Sequence, residues 1–168
     1  MAHDVAQAVD MIRRFEGIAD GDPDTARLDP YLCPAGYWTI GWGHVVRGPD
    51  GQPIRGPENR TAARAIYPDG ITMDDAAVLL ADDVRRFAVG VDSLLEVPVS
   101  DGQFCALVSF AYNCGLGALK TSTLLRLLNE GDHDAVPAQL MRWTRIAGKE
   151  SRGLRNRRTA EAALWNTA

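Results

Sequence analysis

Arg14-Phe15-Glu16-Gly17 and, further along, Tyr37-Trp38-Thr39-Ile40-Gly41-Trp42-Gly43-His44 are the stretches whose reading decides the fold. The first closes an amphipathic helix. Val5, Ala8, Val9, Ile12 and Phe15 recur at helical spacing, so residues 3 to 15 read as one helix that Gly17 can cap. The second stretch is β-branched and aromatic, and its glycines interrupt the period and permit close backbone approach. Residues 36 to 46 therefore read as strand and hairpin. A carboxylic acid at a helix end thus precedes a hairpin that carries a hydroxyl and an imidazole, the kind of equipment that glycosidic bond cleavage requires.

Outward from this pair, residues 18 to 35 are rich in Asp, Pro and Gly and read as loop. Residues 47 to 70 hold many prolines and glycines and read as a long, mostly irregular excursion with one helix-compatible piece, Arg60 to Ile66. From Thr72 onward the pattern is helical. Thr72 with Asp75 resembles a capping box that opens a helix to about Phe87, and Ser100 with Gln103 opens another that stops at Gly115. Further helices are expected at 122 to 130, closed by Gly131, at 134 to 142 with Pro137 in the first turn, and at 154 to 165. The sum is one α+β domain over residues 1–168: an N-terminal helix, a small β-containing lobe over about 17–70, and a larger, mainly helical lobe over about 71–168.

Composition limits the functional classes. Hydrophobic residues make up 46% and charged residues 24% of the 168 positions, as in a globular protein. No apolar run approaches the roughly 18 residues of a spanning helix. Met1-Ala2-His3-Asp4 lacks the basic flank and apolar stretch of a signal peptide, so synthesis in a host cytoplasm is expected. Cys33, Cys105 and Cys114 show no metal-type spacing; Cys105 and Cys114 read as buried free thiols. No metal or organic cofactor is suggested. The net charge of -4 conceals a basic segment: Arg142, Arg145, Lys149, Arg152, Arg155, Arg157 and Arg158 against Glu150 alone. Such a cluster either attracts a polyanion or forms a solvated helix face with some packing arginines. The acidic total and the absence of a nucleic-acid-reading motif argue against a nucleic-acid partner.

Taken singly, the candidate residues are weak signals. Glu16 is the candidate general acid, a role that needs a carboxyl able to hold its proton near neutral pH. Thr39 reads either as a strand former or as a hydroxyl that holds a water against substrate. His44 reads as a histidine paired to a carboxylate on the next helix, in preference to a catalyst.

Taken together, the motifs are specific. Glu16-Gly17 and the Tyr31 to His44 segment are followed by Ile71-Thr72, Asp74-Asp75-Ala76, Leu80 and Asp83. Next come Ala106-Leu107-Val108-Ser109-Phe110-Ala111-Tyr112-Asn113 with Gly115, then Ser122-Thr123-Leu124, Arg142-Trp143, Gly148-Lys149, Gly153-Leu154 and Arg157-Arg158. In this order, over nearly the whole chain, they resemble the phage-type lysozymes, the endolysin family that includes the T-even phage muramidase. The resemblance implies a lysozyme-like fold with the active-site cleft between its two lobes. It implies a glycoside hydrolase that cuts peptidoglycan between N-acetylmuramic acid and N-acetylglucosamine, expected to be a monomer; the lack of a signal or anchor segment points to release with the help of a holin, or to a phage-derived gene kept in a bacterial genome. It assigns Glu16 as general acid and Thr39 as the residue that places the water. It gives Tyr31, Asn113, Ser122 and Arg155 as substrate contacts, and His44 with Asp83 as a structural pair.

The resemblance also puts Cys33 at the position of a catalytic aspartate. A thiol has a reference pKa of about 8.5, so it is mostly neutral at pH 7 and a poorer stabiliser of positive charge than a carboxylate. As thiolate it can serve as base or nucleophile, as thiol it can orient a water, or it can be idle. In the last case the sugar's own hydroxyl becomes the alternative nucleophile and the product a 1,6-anhydro sugar. A further alternative is a wall-binding protein with impaired catalysis. Two stretches depart from the family pattern by their length, 18 to 29 and 47 to 70.

Overall fold

The computed structural model describes residues 3–21 and 26–167. The chain forms two compact units, Glu16–Asp83 and a second made of residues 3–15 and 84–167. The division falls at the last residue of helix α1 (Ala6–Glu16) and inside helix α3 (Met73–Asp92).

The smaller unit is built on a three-stranded antiparallel sheet, β1 (Tyr31–Leu32), β2 (Trp38–Ile40) and β3 (His44–Val45), in sequential order. The register pairs Tyr31 with Thr39 and Leu32 with Trp38, then Thr39 with Val45 and Ile40 with His44. Its β1–β2 connection is a tight turn in which Gly36 N–H donates to the Cys33 carbonyl and Cys33 N–H to the Tyr37 carbonyl, both at 2.8 Å. Gly36 takes φ 79, the left-handed residue that lets a type I turn re-enter a hairpin. Trp38, Ile40, Trp42, Val46, Ile71, Ala76 and Leu80 form the core of this unit. Gly41, at φ 62, admits the first turn of α3, since a Cβ there would lie 3.0 Å from that of Ala76.

Three further ties close the unit. Leu28 and Ile71 exchange both backbone hydrogen bonds at 2.9 Å. Thr72 and Asp75 cap α3 reciprocally, Asp75 N–H donating to the Thr72 hydroxyl at 3.1 Å and Thr72 N–H to the Asp75 carboxylate at 2.9 Å. These bonds to Thr72 hold the Asp75 carboxyl below its usual range. His44 Nδ1 lies 2.9 Å from Asp83 Oδ2, linking β3 to α3 with side chains 18% and 6% exposed.

The larger unit is organised around α4 (Asp101–Cys114), which is apolar on all sides and buries every residue from Phe104 to Ala111. A capping box starts it, with Gln103 N–H donating to the Ser100 hydroxyl at 3.2 Å and Ser100 N–H to the Gln103 side chain at 3.1 Å; Gly115 at φ 91 ends it. Around it lie α5 (Leu116–Lys120), α6 (Thr123–Asn129), α7 (Val136–Leu140) and α8 (Arg152–Trp165), with α8 running along α4 and α7. A two-stranded hairpin, β4 (Arg145–Ile146) and β5 (Lys149–Glu150), precedes α8. Among the described residues no helix is long and apolar enough to cross a membrane.

Between α4 and α8 sits a buried charge cluster. Glu161 and Arg158 are fully buried and Arg157 nearly so. Ser109 O–H donates to Glu161 Oε1 at 2.7 Å, Arg157 Nη2 to the Ser109 carbonyl at 3.0 Å, and Arg158 Nη2 to Asn113 Oδ1 at 2.8 Å. Arg158 Nε and Glu161 Oε2 approach to 3.2 Å at an angle unsuited to a hydrogen bond. Burial pushes the Glu161 carboxyl up and the Arg158 guanidinium down despite their mutual attraction, as expected where desolvation outweighs the Coulombic gain.

Several boundaries differ from the sequence reading. The segment 18 to 35, read as loop, contains β1 and the Leu28 pairing; residues 22–25 of the long 18 to 29 stretch lie outside the described residues. Three residues between Pro30 and Pro34 carry no periodicity, and β1 exists only through its pairing with β2. Helix α3 runs on to Asp92 rather than Phe87: its Gly90 is no terminator but makes room for Leu116, whose side chain would lie 2.4 Å from a Cβ there. The helix expected at 134 to 142 is shorter and follows a 3-10 turn, His133–Ala135, capped by Asp132. Helix α8 begins at Arg152 because Ser151 caps it, and α5 and the β4–β5 hairpin were not expected at all. The hairpin turns through Ala147 and Gly148, both at positive φ. Cys105 is buried as expected, whereas Cys114 is half-buried at the end of α4.

Two stability outcomes follow from these contacts. Glu161→Ala leaves two buried guanidinium groups without their carboxylate and is expected to lower the unfolding free energy by about 3–5 kcal/mol, whereas the double change Arg158→Met with Glu161→Leu costs less. Urea unfolding followed by circular dichroism ranks the two, and a double variant weaker than the single one contradicts this account. Asp83→Ala removes the partner of a half-buried imidazole and should lower stability by about 1–3 kcal/mol in the same measurement.

Candidate functional site

The pleat of the small sheet sorts the candidate residues. In antiparallel strands, directly opposed residues and residues two apart share a face. Tyr31 and Thr39 are opposed, and Cys33 and Tyr37 follow two residues away on each strand, so these four side chains share one face. Ile40 and His44, opposed on the next ladder, project to the other face, where His44 meets Asp83. Thr39 and His44, five residues apart in sequence, are thereby separated by the sheet.

On the first face, Thr39 is buried and Tyr31 and Cys33 are partly exposed. Thr39 Oγ1 donates to the Tyr31 carbonyl at 3.4 Å, a long contact. Burial pushes the Tyr31 phenol above the usual tyrosine range, a hydrogen bond with Thr39 pulls it back, and the charges of Cys33 and Glu16 push it up. All three candidate catalytic residues therefore lie close enough to act on one phenol. Glu16 itself is exposed at the end of α1, followed by Gly17 at φ 63. Its carboxylate also faces the β2–β3 turn. A Cβ at Gly43, where φ is 84, would stand 4.0 Å from Glu16 Oε2. Glycine at that position keeps the backbone open beside the acid.

The remaining predicted contacts belong to the larger unit and hold internal bonds. Ser122 caps α6, accepting from Leu125 N–H at 3.0 Å and donating to the Leu119 carbonyl at 2.7 Å. Asn113 accepts from Arg158 through its carbonyl oxygen. Arg155 is exposed and paired with Glu150. Of the seven basic residues in the 142 to 158 segment, Arg157 and Arg158 are buried packing residues and the other five are exposed. The arginine that stacks near the end of α1 is Arg157, with its guanidinium 5.9 Å from the Phe15 ring centroid.

Two residues of this candidate face escaped the sequence reading. Tyr37, taken only as part of a strand, lies opposite Cys33, and Arg55 pairs with Tyr37 from the other side. Arg55 carried no signal, being one arginine in a proline- and glycine-rich segment. Among the described residues, no three His, Cys, Asp or Glu side chains gather as metal ligands would.

The chain has clear relatives. The phage lysozyme family profile matches residues 15–161. The endolysin of Bacillus phage B103 is 39% identical over 166 residues, covering 97% of this chain and 54% of the relative. The endolysin of Acyrthosiphon pisum secondary endosymbiont phage 1 is 33% identical over 162 residues, covering 94% of each. Among solved structures, the muramidase domain of SpmX from Asticaccaulis excentricus superposes with a TM-score of 0.72 at 28% identity, covering 99% of each chain. The chain spans about half the length of the Bacillus phage endolysins it matches. Its fold is the lysozyme-like α+β fold expected from the sequence, and the chain belongs to the phage lysozyme family.

Proposed function

We propose that this chain is a muramidase that hydrolyses the β-1,4 bond between N-acetylmuramic acid and N-acetylglucosamine in peptidoglycan. The observation that carries the reading is the gathering of Glu16, Cys33 and Thr39 about Tyr31 in a member of this family. Glu16 is the general acid: it gives its proton to the glycosidic oxygen as the bond to the anomeric carbon breaks. Positive charge then grows on the sugar ring, and a water attacks from the opposite side. Thr39, fixed in the central strand, holds that water through its hydroxyl. Cys33, on the same face, takes a direct part, orienting the water as a thiol or accepting its proton as a thiolate.

Tyr31 heads this face and is a substrate contact, its partly buried phenol lying alongside Thr39. Asn113, through its amide donors, and Arg155 are saccharide contacts of the larger unit. Ser122 has its hydroxyl committed to a helix cap and is left to the fold. His44 and Asp83, on the opposite face of the sheet, hold strand to helix and take no part in proton transfer. The exposed basic residues between Arg142 and Arg155 draw in a polymer whose peptide stems carry carboxylates. On this reading the protein works as a monomer, is made in a host cytoplasm and reaches the wall after release through the inner membrane, with a holin as the releasing partner.

Cys33 favours one second reading. If the thiol neither activates nor orients a water, the muramic acid 6-hydroxyl becomes the nucleophile and the product carries a 1,6-anhydro ring. Digestion of purified peptidoglycan followed by mass spectrometry separates the two: reducing ends are expected, anhydro ends assign a transglycosylase, and binding without any cleavage overturns both. In a turbidity-clearing assay with permeabilised Gram-negative cells, Glu16→Gln should lose about 100- to 10,000-fold in rate. Cys33→Asp should keep substantial activity while Cys33→Ala loses about 100-fold or more. An unimpaired Cys33→Ala enzyme removes the thiol from the mechanism.

A further inference from the structure

The catalytic face of the small sheet continues beyond Tyr37. Backbone bonds from Trp38 N–H to the Ile54 carbonyl and from Gly56 N–H to the Gly36 carbonyl, both at 3.0 Å, align Arg55 opposite Tyr37. Such a pair, flanked rather than joined by its hydrogen bonds, brings its side chains especially close. The Arg55 guanidinium accordingly lies 4.1 Å from the Tyr37 ring centroid. Cys33, Tyr37 and Arg55 thus form one row across the strands, beside the row of Tyr31, Thr39 and Val45. Two strand spacings put Arg55 about 10 Å from Cys33, a distance that a peptide stem hanging from a bound sugar can bridge.

The cation is held but not neutralised. A guanidinium stacked on an aromatic ring keeps its edge donors directed outward in a fixed plane, suited to bidentate capture of a carboxylate. Among the described residues Arg55 forms no ion pair. The nearest acid in sequence, Glu58, curls back over Gly56, where a Cβ would stand 2.2 Å from its Oε1. Arg55 also lines an open depression of about 600 Å³ with Ile54, Glu58, Asn59 and Ile66, room for a short peptide. The Arg55 carbonyl accepts from Asn59 Nδ2 at 2.8 Å, which anchors the backbone behind the cation.

We propose that Arg55, stacked on Tyr37, is a specificity site that binds a carboxylate of the peptide stem carried by the sugar next to the scissile bond. The long 47 to 70 excursion supplies this arginine, and binding there orients the glycan along the row that contains Cys33. The site rests on the muramidase reading. In the intact wall the lactyl group of muramic acid is amide-linked to the stem, so the available carboxylates are those of the peptide; in glycan stripped of its stems the lactyl carboxylate itself is exposed.

That difference provides the test. Initial rates of reducing-end release are measured on soluble stem-bearing peptidoglycan fragments and on the same glycan after amidase removal of the stems, for the parent chain, Arg55→Gln, Arg55→Lys and Tyr37→Leu, with thermal unfolding as the check on folding. For Arg55→Gln the ratio of kcat/KM on stem-bearing to stripped substrate should fall about tenfold, mainly through KM. Tyr37→Leu should fall in the same direction and Arg55→Lys by less. An unchanged ratio, or equal losses on both substrates, overturns the proposal; a larger loss on stripped glycan assigns the lactyl carboxylate instead and overturns the stem assignment. A parent chain that releases no reducing ends overturns the muramidase reading alone. Sedimentation with insoluble stem-bearing walls then reads the Arg55 site directly, where an unchanged bound fraction for Arg55→Gln overturns it.

Discussion

The register of three short strands is the constraint on which the small unit depends. Because side chains alternate across a strand, pairing Tyr31 with Thr39 and Thr39 with Val45 fixes what shares a face with what. A slip of one residue would move Thr39 to the His44 side and bring Trp38 and Ile40 out of the core. The register is pinned at one end by the turn from Cys33 to Gly36, and at the other by Gly41 and Gly43 in the β2–β3 turn. The glycines serve two purposes there. They allow the positive φ values the turns need, and they leave space for Ala76 on one side and the Glu16 carboxylate on the other.

The large unit solves a different problem. Helix α4 is too apolar to present a polar surface, so it must be enclosed, and the helix laid along it, α8, is strongly basic. The two are reconciled by turning Arg157 and Arg158 inward onto Glu161, Ser109 and Asn113. Arg158 also packs its guanidinium 4.9 Å from the Phe110 ring centroid, so part of its desolvation is offset by an aromatic face. The arrangement specifies how α8 is rotated, since no other phase satisfies these groups. The five exposed basic residues that remain are the solvated part of the same segment.

Much of this was legible in the sequence. Capping residues announced α3 and α4, because Thr72 and Ser100 each satisfy backbone donors within their own turn. The expected helix at Arg60 to Ile66 lies where it was read. Strand β1 and the β4–β5 hairpin were not legible, since two-residue strands have no period and exist only by pairing. Gly90 was ambiguous for a related reason: a glycine stops a helix or admits a neighbour, and only the position of Leu116 decides which. Among the site residues, Glu16, Cys33 and Thr39 came from motif order, whereas Arg55 carries no pattern and is found only by its place across from Tyr37.

By itself, then, the sequence determined the class of fold, most helix starts, the family and the candidates for acid and hydroxyl, because these rest on local capping, periodicity and the order of motifs. The tertiary structure alone decided which side chains share a face, that Arg157 and Arg158 are internal while Arg155 is not, and that an arginine from a proline-rich excursion stands in the row of Cys33. Faces, burial and rows are consequences of pairing between distant segments. No stretch of chain encodes its partner's register in its own composition.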